Sequence, residues 1–294
     1  MVNHTGCGRI EIKRCALMVH REEGSATMKI LALADLDGEV PPRGALRDVY
    51  RAAGIEAVVF AGSVLPPGDV PAPDAKRLYT AFFDALAALG LPAMVVPGHL
   101  DRPLVLFRQV ATPYARYTPP IVVVDRAVVC LVHSVVVGGL GGLLAEDHSS
   151  EEIATTERTL REALLSLAAL RQYTGPRLLL VHTPPRGRVV DCHEGRHVGR
   201  RAVNRLIADV GAPVAVCGYA HEGQGKDDID GTIVVNPGPL AQGCYAIIDP
   251  LRTAVQFGVL PRRRHRASER DAQRDHRGRE DRTLGNVRAH MNAA

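Results

Sequence analysis

Short, wholly apolar runs alternate with amphipathic stretches along most of this chain. Lys29 to Ala34 (KILALA) has no polar face and reads as a strand buried on both sides. Leu46 to Ala53 is helix-like, Ala57 to Ala61 (AVVFA) is a second strand, and Pro66 to Pro73 is a Pro-rich loop. Pro73 and Asp74 open a helix that Gly90 stops; Leu78, Phe82, Ala85 and Leu89 share one of its faces. Ala93 to Val96 is a third strand. Strand, helix and strand at this spacing predict parallel pairing through right-handed crossovers.

The middle of the chain departs from this rhythm. Ile121 to Val124 and Ala127 to Val137 are β-branched runs separated by Asp125 and Arg126, which predicts a hairpin. A glycine cluster from Gly138 to Gly142 follows. Ser149, with Glu152 three residues on, has the form of a capping box for a helix to about Arg171. The alternation then resumes: a strand over Arg177 to Val181, a helix over His197 to Asp209 and a strand over Val214 to Cys217. Three further β segments, Thr232 to Val235, Cys244 to Ile248 and Thr253 to Phe257, complete the body. The expected organisation is an extension of unassigned role over 1–27, one α/β domain over 28–260, and a tail over 261–294.

Composition sharpens this division. The chain has 294 residues, 46% of them hydrophobic and only 4% aromatic, with no Trp. Its core must therefore be filled by aliphatic side chains. The net charge of +4 is uneven: ten of the 36 basic and five of the 32 acidic residues lie beyond Leu260, leaving 26 and 27 in the rest. The basic excess belongs to the tail, so the body gives no sign of a nucleic-acid-binding face. The tail has too few apolar residues to offset its ordering entropy and is expected to be disordered. The start of the chain lacks the apolar core of a secretory leader. The longest apolar stretch, Ile121 to Ala145, is too interrupted to span a membrane. Six Cys without a C-x-x-C pair fit reduced thiols, and a cytoplasmic location is expected.

Ligands of open α/β sheets bind beyond the carboxyl ends of the strands. Those ends here carry Asp35-Leu36-Asp37-Gly38, Gly62-Ser63, Gly98-His99-Leu100-Asp101, His182-Thr183 and Gly218-Tyr219-Ala220-His221. Taken singly, an Asp or His at a strand end reads as a cap or a hydrogen-bonded structural residue. Taken together, Asp35, Asp37, His99, His182 and His221 would form a site for Mn, Fe or Zn. Ser63 lacks the G-x-S-x-G setting of an activated serine, and the turn after the first strand lacks G-x-G-x-x-G.

The order of these segments resembles the calcineurin-like metallophosphoesterases, whose motifs run D-x-H-G, G-D, G-N-H-D/E, a strand-end His and G-H-x-H. The resemblance spans about Met28 to Phe257 and includes Cys217 to Asp249 and His197-Val198-Gly199. It implies a β-sandwich core flanked by helices, with metals at the strand ends. Asp35, Asp101, His182 and His221 match the motifs. Asp37 stands in a His position, Ser63 in that of the bridging Asp, His99 in that of a ligand Asn, Leu100 in that of the general-acid His, and Tyr219 in that of the first His of G-H-x-H.

The departures favour one ion over two. Two dications about 4 Å apart repel by on the order of 20 kcal/mol at an effective dielectric of 20, and neutral Ser63 supplies no anion between them. Asp69, six residues on, is not expected to take its place. Asp35, Asp37 and His221 belong to one implied subsite; His182, with His99 as a gained nitrogen ligand, belongs to a weaker one. Leu100 cannot donate a proton, and general acid help is worth roughly 10²–10⁴-fold. His193 and His197, in a loop and at a helix start, are candidates for binding phosphate. The implied activity is metal-dependent hydrolysis of phosphomonoesters or phosphodiesters, on a phosphorylated small molecule or nucleotide. The alternative is a catalytically impaired module that binds a phosphate ligand or a protein.

Overall fold

The structure is a computed structural model that describes residues 27–39, 43–131, 135–144 and 150–260. The expectations for the leading extension, the tail and the Ser149 cap fall outside those residues.

The apolar runs become two six-stranded sheets. The first contains β1 (Ile30–Leu33), β2 (Ala57–Phe60), β3 (Ala93–Val95), β4 (Ile121–Val123), β13 (Cys244–Asp249) and β14 (Ala254–Val259), in the order β14-β13-β1-β2-β3-β4. The second contains β5 (Ala127–Cys130), β6 (Val136–Leu140), β7 (Arg177–Val181), β10 (Val214–Val216), β11 (Gly225–Ile229) and β12 (Thr232–Asn236), in the order β11-β12-β10-β7-β6-β5. Strands β1 to β4 pair in parallel, as do β6, β7, β10 and β12.

Alternation within a strand divides each run between two cores. Ile30, Ala32 and Val59 meet Val137, Leu178, Leu180 and Val216 between the sheets. The intervening Leu31, Leu33 and Phe60 face outward onto Tyr79, Phe83 and Phe107, from α2 (Ala72–Ala87) and α3 (Leu104–Ala111). On the other side, Leu179, Val181 and Ala215 pack on Leu160, Leu167 and Leu206, in or beside α4 (Ser150–Ser166) and α6 (Arg201–Val210). The result is a helix–sheet–sheet–helix sandwich of α/β class, with α1 (Arg43–Ala53) and α5 (Ala168–Gln172) completing the helical layers.

Several expectations are corrected. The β-branched runs around Asp125-Arg126 do not form a hairpin. β4 continues the first sheet beside β3, whereas β5 pairs antiparallel with β6 in the second. The chain changes sheets between them: Arg126 adopts φ 53°, and the Asp125 carboxylate accepts hydrogen bonds from Gly141 N and the Arg108 guanidinium. A two-residue polar break is equally compatible with a hairpin and with such a crossing, because both reverse the local backbone. The helix expected from His197 begins at Arg201. His197 instead lies in a small hairpin of β8 (Cys192–His193) and β9 (Arg196–His197), turned at Glu194 and Gly195 with φ 50° and 69°. The long helix expected to Arg171 breaks at Leu167 into α4 and α5. Both α3, with an apolar run too short for helical periodicity, and β11, a charged edge strand (GKDDI), are absent from the sequence reading.

Among the described residues, Cys130, Cys192, Cys217 and Cys244 are in no disulfide. Among the described residues, no helix is long and apolar enough to cross a membrane.

Candidate metal centre

The carboxyl ends of β1, β2 and β3 meet those of β7 and β10 at one rim between the sheets. The first three loops are tied together by Asp101. Its buried carboxylate accepts hydrogen bonds from the main-chain N–H of Ser63, Val64, Leu65 and Gly98 at 2.7–3.3 Å. Burial pushes its pKa up, and these four donors draw it back. The loops approach so closely that a Cβ on Gly98 would lie 2.1 Å from Ser63 N. Only glycine fits there.

Asp35, directly after β1, is fully buried, and one carboxylate oxygen accepts the Tyr219 N–H at 2.8 Å. Its Oδ1 is buried without a hydrogen-bond partner among the described residues, as is Oδ1 of Asp37. Asp37 Oδ2 lies 3.2 Å from His221 Nε2. Ligand atoms of Asp35, Asp37 and His221 all fall within 4.8 Å of one another. Burial, and then the charge of Asp37, hold the Asp35 carboxyl well above the usual carboxylate range. The hydrogen bond to Asp37 raises the His221 pKa. Two buried, unpartnered carboxylate oxygens beside an imidazole fit a divalent cation, which would satisfy both.

The second corner is arranged differently. His182 is fully buried, and its Nδ1 donates to the Ala61 carbonyl at 2.7 Å. Burial lowers its pKa to about 3, so the ring is neutral with a lone pair on Nε2. That lone pair faces His99 Nδ1 at 2.9 Å, and His99 Nδ1 also lies 3.3 Å from Ser63 Oγ. The Tyr219 ring stands edge-on against His99 at 4.9 Å and against His182 at 5.9 Å. Here the imidazoles and the Ser63 hydroxyl bond one another, and the nearby Asp101 carboxylate is taken up by main-chain N–H groups.

His193 belongs to this rim. Its ring lies 5.2 Å from that of His221 and 5.8 Å from that of Tyr219, and its Nδ1 accepts the His221 N–H at 3.4 Å. His197 stands apart from these contacts: its Nδ1 bonds the buried Asp191 carboxylate at 2.9 Å. Leu100 packs against the outer core of the first sheet. Asp69 is exposed, and the metal-ligating group comprises Asp35, Asp37 and His221 without it.

Sequence reasoning missed two features. One is the fourfold acceptor role of Asp101, visible earlier only as a motif match. The other is the placement of the Tyr219 ring between the histidines. Asp35, Asp37, Ser63 and Tyr219 all have positive φ, at 51°, 48°, 64° and 70°. Such strain concentrates at functional sites, and only the Asp positions carry a compositional hint of it.

Residues 72–260 match the family model described as metallophosphoesterase, calcineurin superfamily. The uncharacterized protein MJ1162 of Methanocaldococcus jannaschii is 26% identical over 225 residues, covering 74% of this chain and 91% of the relative. The crystal structure of TT1561 from Thermus thermophilus superposes with a TM-score of 0.64 at 24% identity, over 80% of this chain and all of that one. A further crystal structure superposes with a TM-score of 0.68 at 23% identity over the same shares.

Proposed function

The chain belongs to the calcineurin superfamily of metallophosphoesterases, and from that premise we propose that it hydrolyses phosphate esters around a single divalent cation held by Asp35, Asp37 and His221. The observation that carries this reading is the pair of buried carboxylate oxygens, Asp35 Oδ1 and Asp37 Oδ1, which have no partner among the described residues. A cation bound there, Mn, Fe or Zn by its oxygen and nitrogen donors, would polarise a phosphoryl oxygen and acidify water.

The protein's own groups have separate tasks. Tyr219 N–H holds the Asp35 carboxylate, and Asp37 orients the His221 ring. His193 accepts a main-chain N–H on Nδ1, so its neutral ring carries hydrogen on Nε2, a donor for a phosphoryl oxygen. His99 and His182 form a neutral, hydrogen-bonded wall rather than a second ion site. Leu100 offers no proton to a departing alkoxide, so the leaving oxygen takes its proton from water. The substrate class is a phosphorylated small molecule or nucleotide.

The experiment is turnover of bis(p-nitrophenyl) phosphate and p-nitrophenyl phosphate by Mn²⁺-loaded protein. Hydrolysis should vanish in His221→Ala; turnover unaffected by that change refutes the assignment. The aliphatic Leu100 and the neutral Ser63 favour a second reading, a phosphate-binding module without catalysis. Stoichiometric Mn²⁺ and phosphate binding with no turnover by the unaltered protein would select it.

A further inference from the structure

His99 also lines a cavity of about 820 Å³. One edge of its ring meets His182 and Tyr219. The cavity walls are mixed: Val70, Leu100, Pro103 and Leu104, with Leu65 beneath them, share the lining with Asp69, His99 and Arg102. Leu104, the first residue of α3, is 37% exposed. Arg102 and His99 are shared between this cavity and a smaller one of about 310 Å³, which Asp101, Asp125 and Arg126, paired with Glu162, also line. An apolar patch of Val70, Leu100 and Leu104 beside the Arg102 guanidinium and a phosphoester site matches a ligand with an anionic head and an apolar body.

Resting on the phosphoester reading above, we propose that the substrate is a phosphate ester of an apolar alcohol, with its hydrocarbon or aryl group in the Leu65–Val70–Leu100–Leu104 cavity and Arg102 paired with its phosphate. Arg102 is the anion contact because it lines both cavities. Leu100 takes on a positive role here: the side chain that cannot donate a proton supplies apolar wall.

The test is calorimetric binding of inorganic phosphate and of ethyl, butyl, hexyl and octyl phosphate to the full chain loaded with Mn²⁺, with phenyl phosphate as a separate arm. Affinity should rise about two- to fourfold per added methylene until the cavity is filled. Phenyl phosphate tighter than hexyl phosphate selects an aryl substrate; the reverse order selects an alkyl or acyl-chain one. Leu104→Asp should flatten the chain-length dependence, and an acidic residue in the first turn of α3 does not oppose the helix. Leu165→Asp, on a 70% exposed position of α4, should leave the dependence intact. Arg102→Ala should weaken every member by about tenfold. A flat series in the unaltered protein, no binding of any member, or a dependence surviving Leu104→Asp overturns the inference. Turnover of p-nitrophenyl esters with a flat series overturns it alone. A steep series without turnover retains the cavity assignment and refutes hydrolysis.

Discussion

Two corners of one rim differ in how their lone pairs are used. Around Asp35, Asp37 and His221, two carboxylate oxygens are buried with nothing to accept from. Around His99, His182 and Ser63, both His182 nitrogens, His99 Nδ1 and Ser63 Oγ already face another side chain or a carbonyl. Both corners are largely desolvated and draw their residues from strand ends of both sheets. Burial alone therefore does not make an ion site. The corners differ in their unsatisfied anions: among the described residues, the buried carboxylate oxygens without a partner are those of the first corner.

The widest test of that contrast removes what holds the second corner in shape. Asp101→Ala strands four buried N–H groups and should lower unfolding free energy by about 4 kcal/mol, read by urea denaturation. A change under about 1 kcal/mol would mean that the loops hold themselves. Next, His221→Ala should weaken Mn²⁺ binding at least about 100-fold by calorimetry, whereas His99→Ala should change it less than about threefold. Equal losses would erase the distinction between the corners.

Asp35→Asn should abolish ion binding yet stabilise the metal-free protein by about 1–2 kcal/mol at neutral pH. The sign follows from the raised Asp35 pKa. Below a pH of about 4 the carboxyl is protonated in folded and unfolded chains alike, and the variant gains nothing. As pH rises, the unfolded chain loses its proton first, so the unaltered protein loses stability relative to the variant. Denaturation curves in EDTA across that window measure it. The smallest effect is expected from Tyr219→His, which should add a weak second Mn²⁺ equivalent to the titration, limited by the absent bridge at Ser63. A stoichiometry that stays at one would show that the His99–His182 bond, rather than the ring, closes the corner.

The strands were legible because their runs are apolar on both faces. KILALA and AVVFA can only be buried, and their alternate residues do fill two different cores. The rim was legible because strand ends in parallel sheets converge. The sheet change at Asp125-Arg126 and the hairpin carrying His193 and His197 were not. Both depend on partners distant in sequence: Gly141 N and Arg108 for Asp125, and the buried Asp191 for His197. The open lone pairs of Asp35 and Asp37 were equally hidden, since a residue type does not reveal which of its oxygens will find a donor.

The antiparallel register of β1 with β13, Ile30 against Ile248, has a consequence for biosynthesis. The strand that leads into Asp35 and Asp37 is made first in the body, yet its neighbour is made near the body's end. At about 5–20 residues per second, one flank of β1 waits roughly ten to forty seconds for its partner. His221 emerges only shortly before that partner, so cation loading follows synthesis of most of the body. A nascent chain stalled before β13 would expose an unpaired apolar strand edge to chaperones.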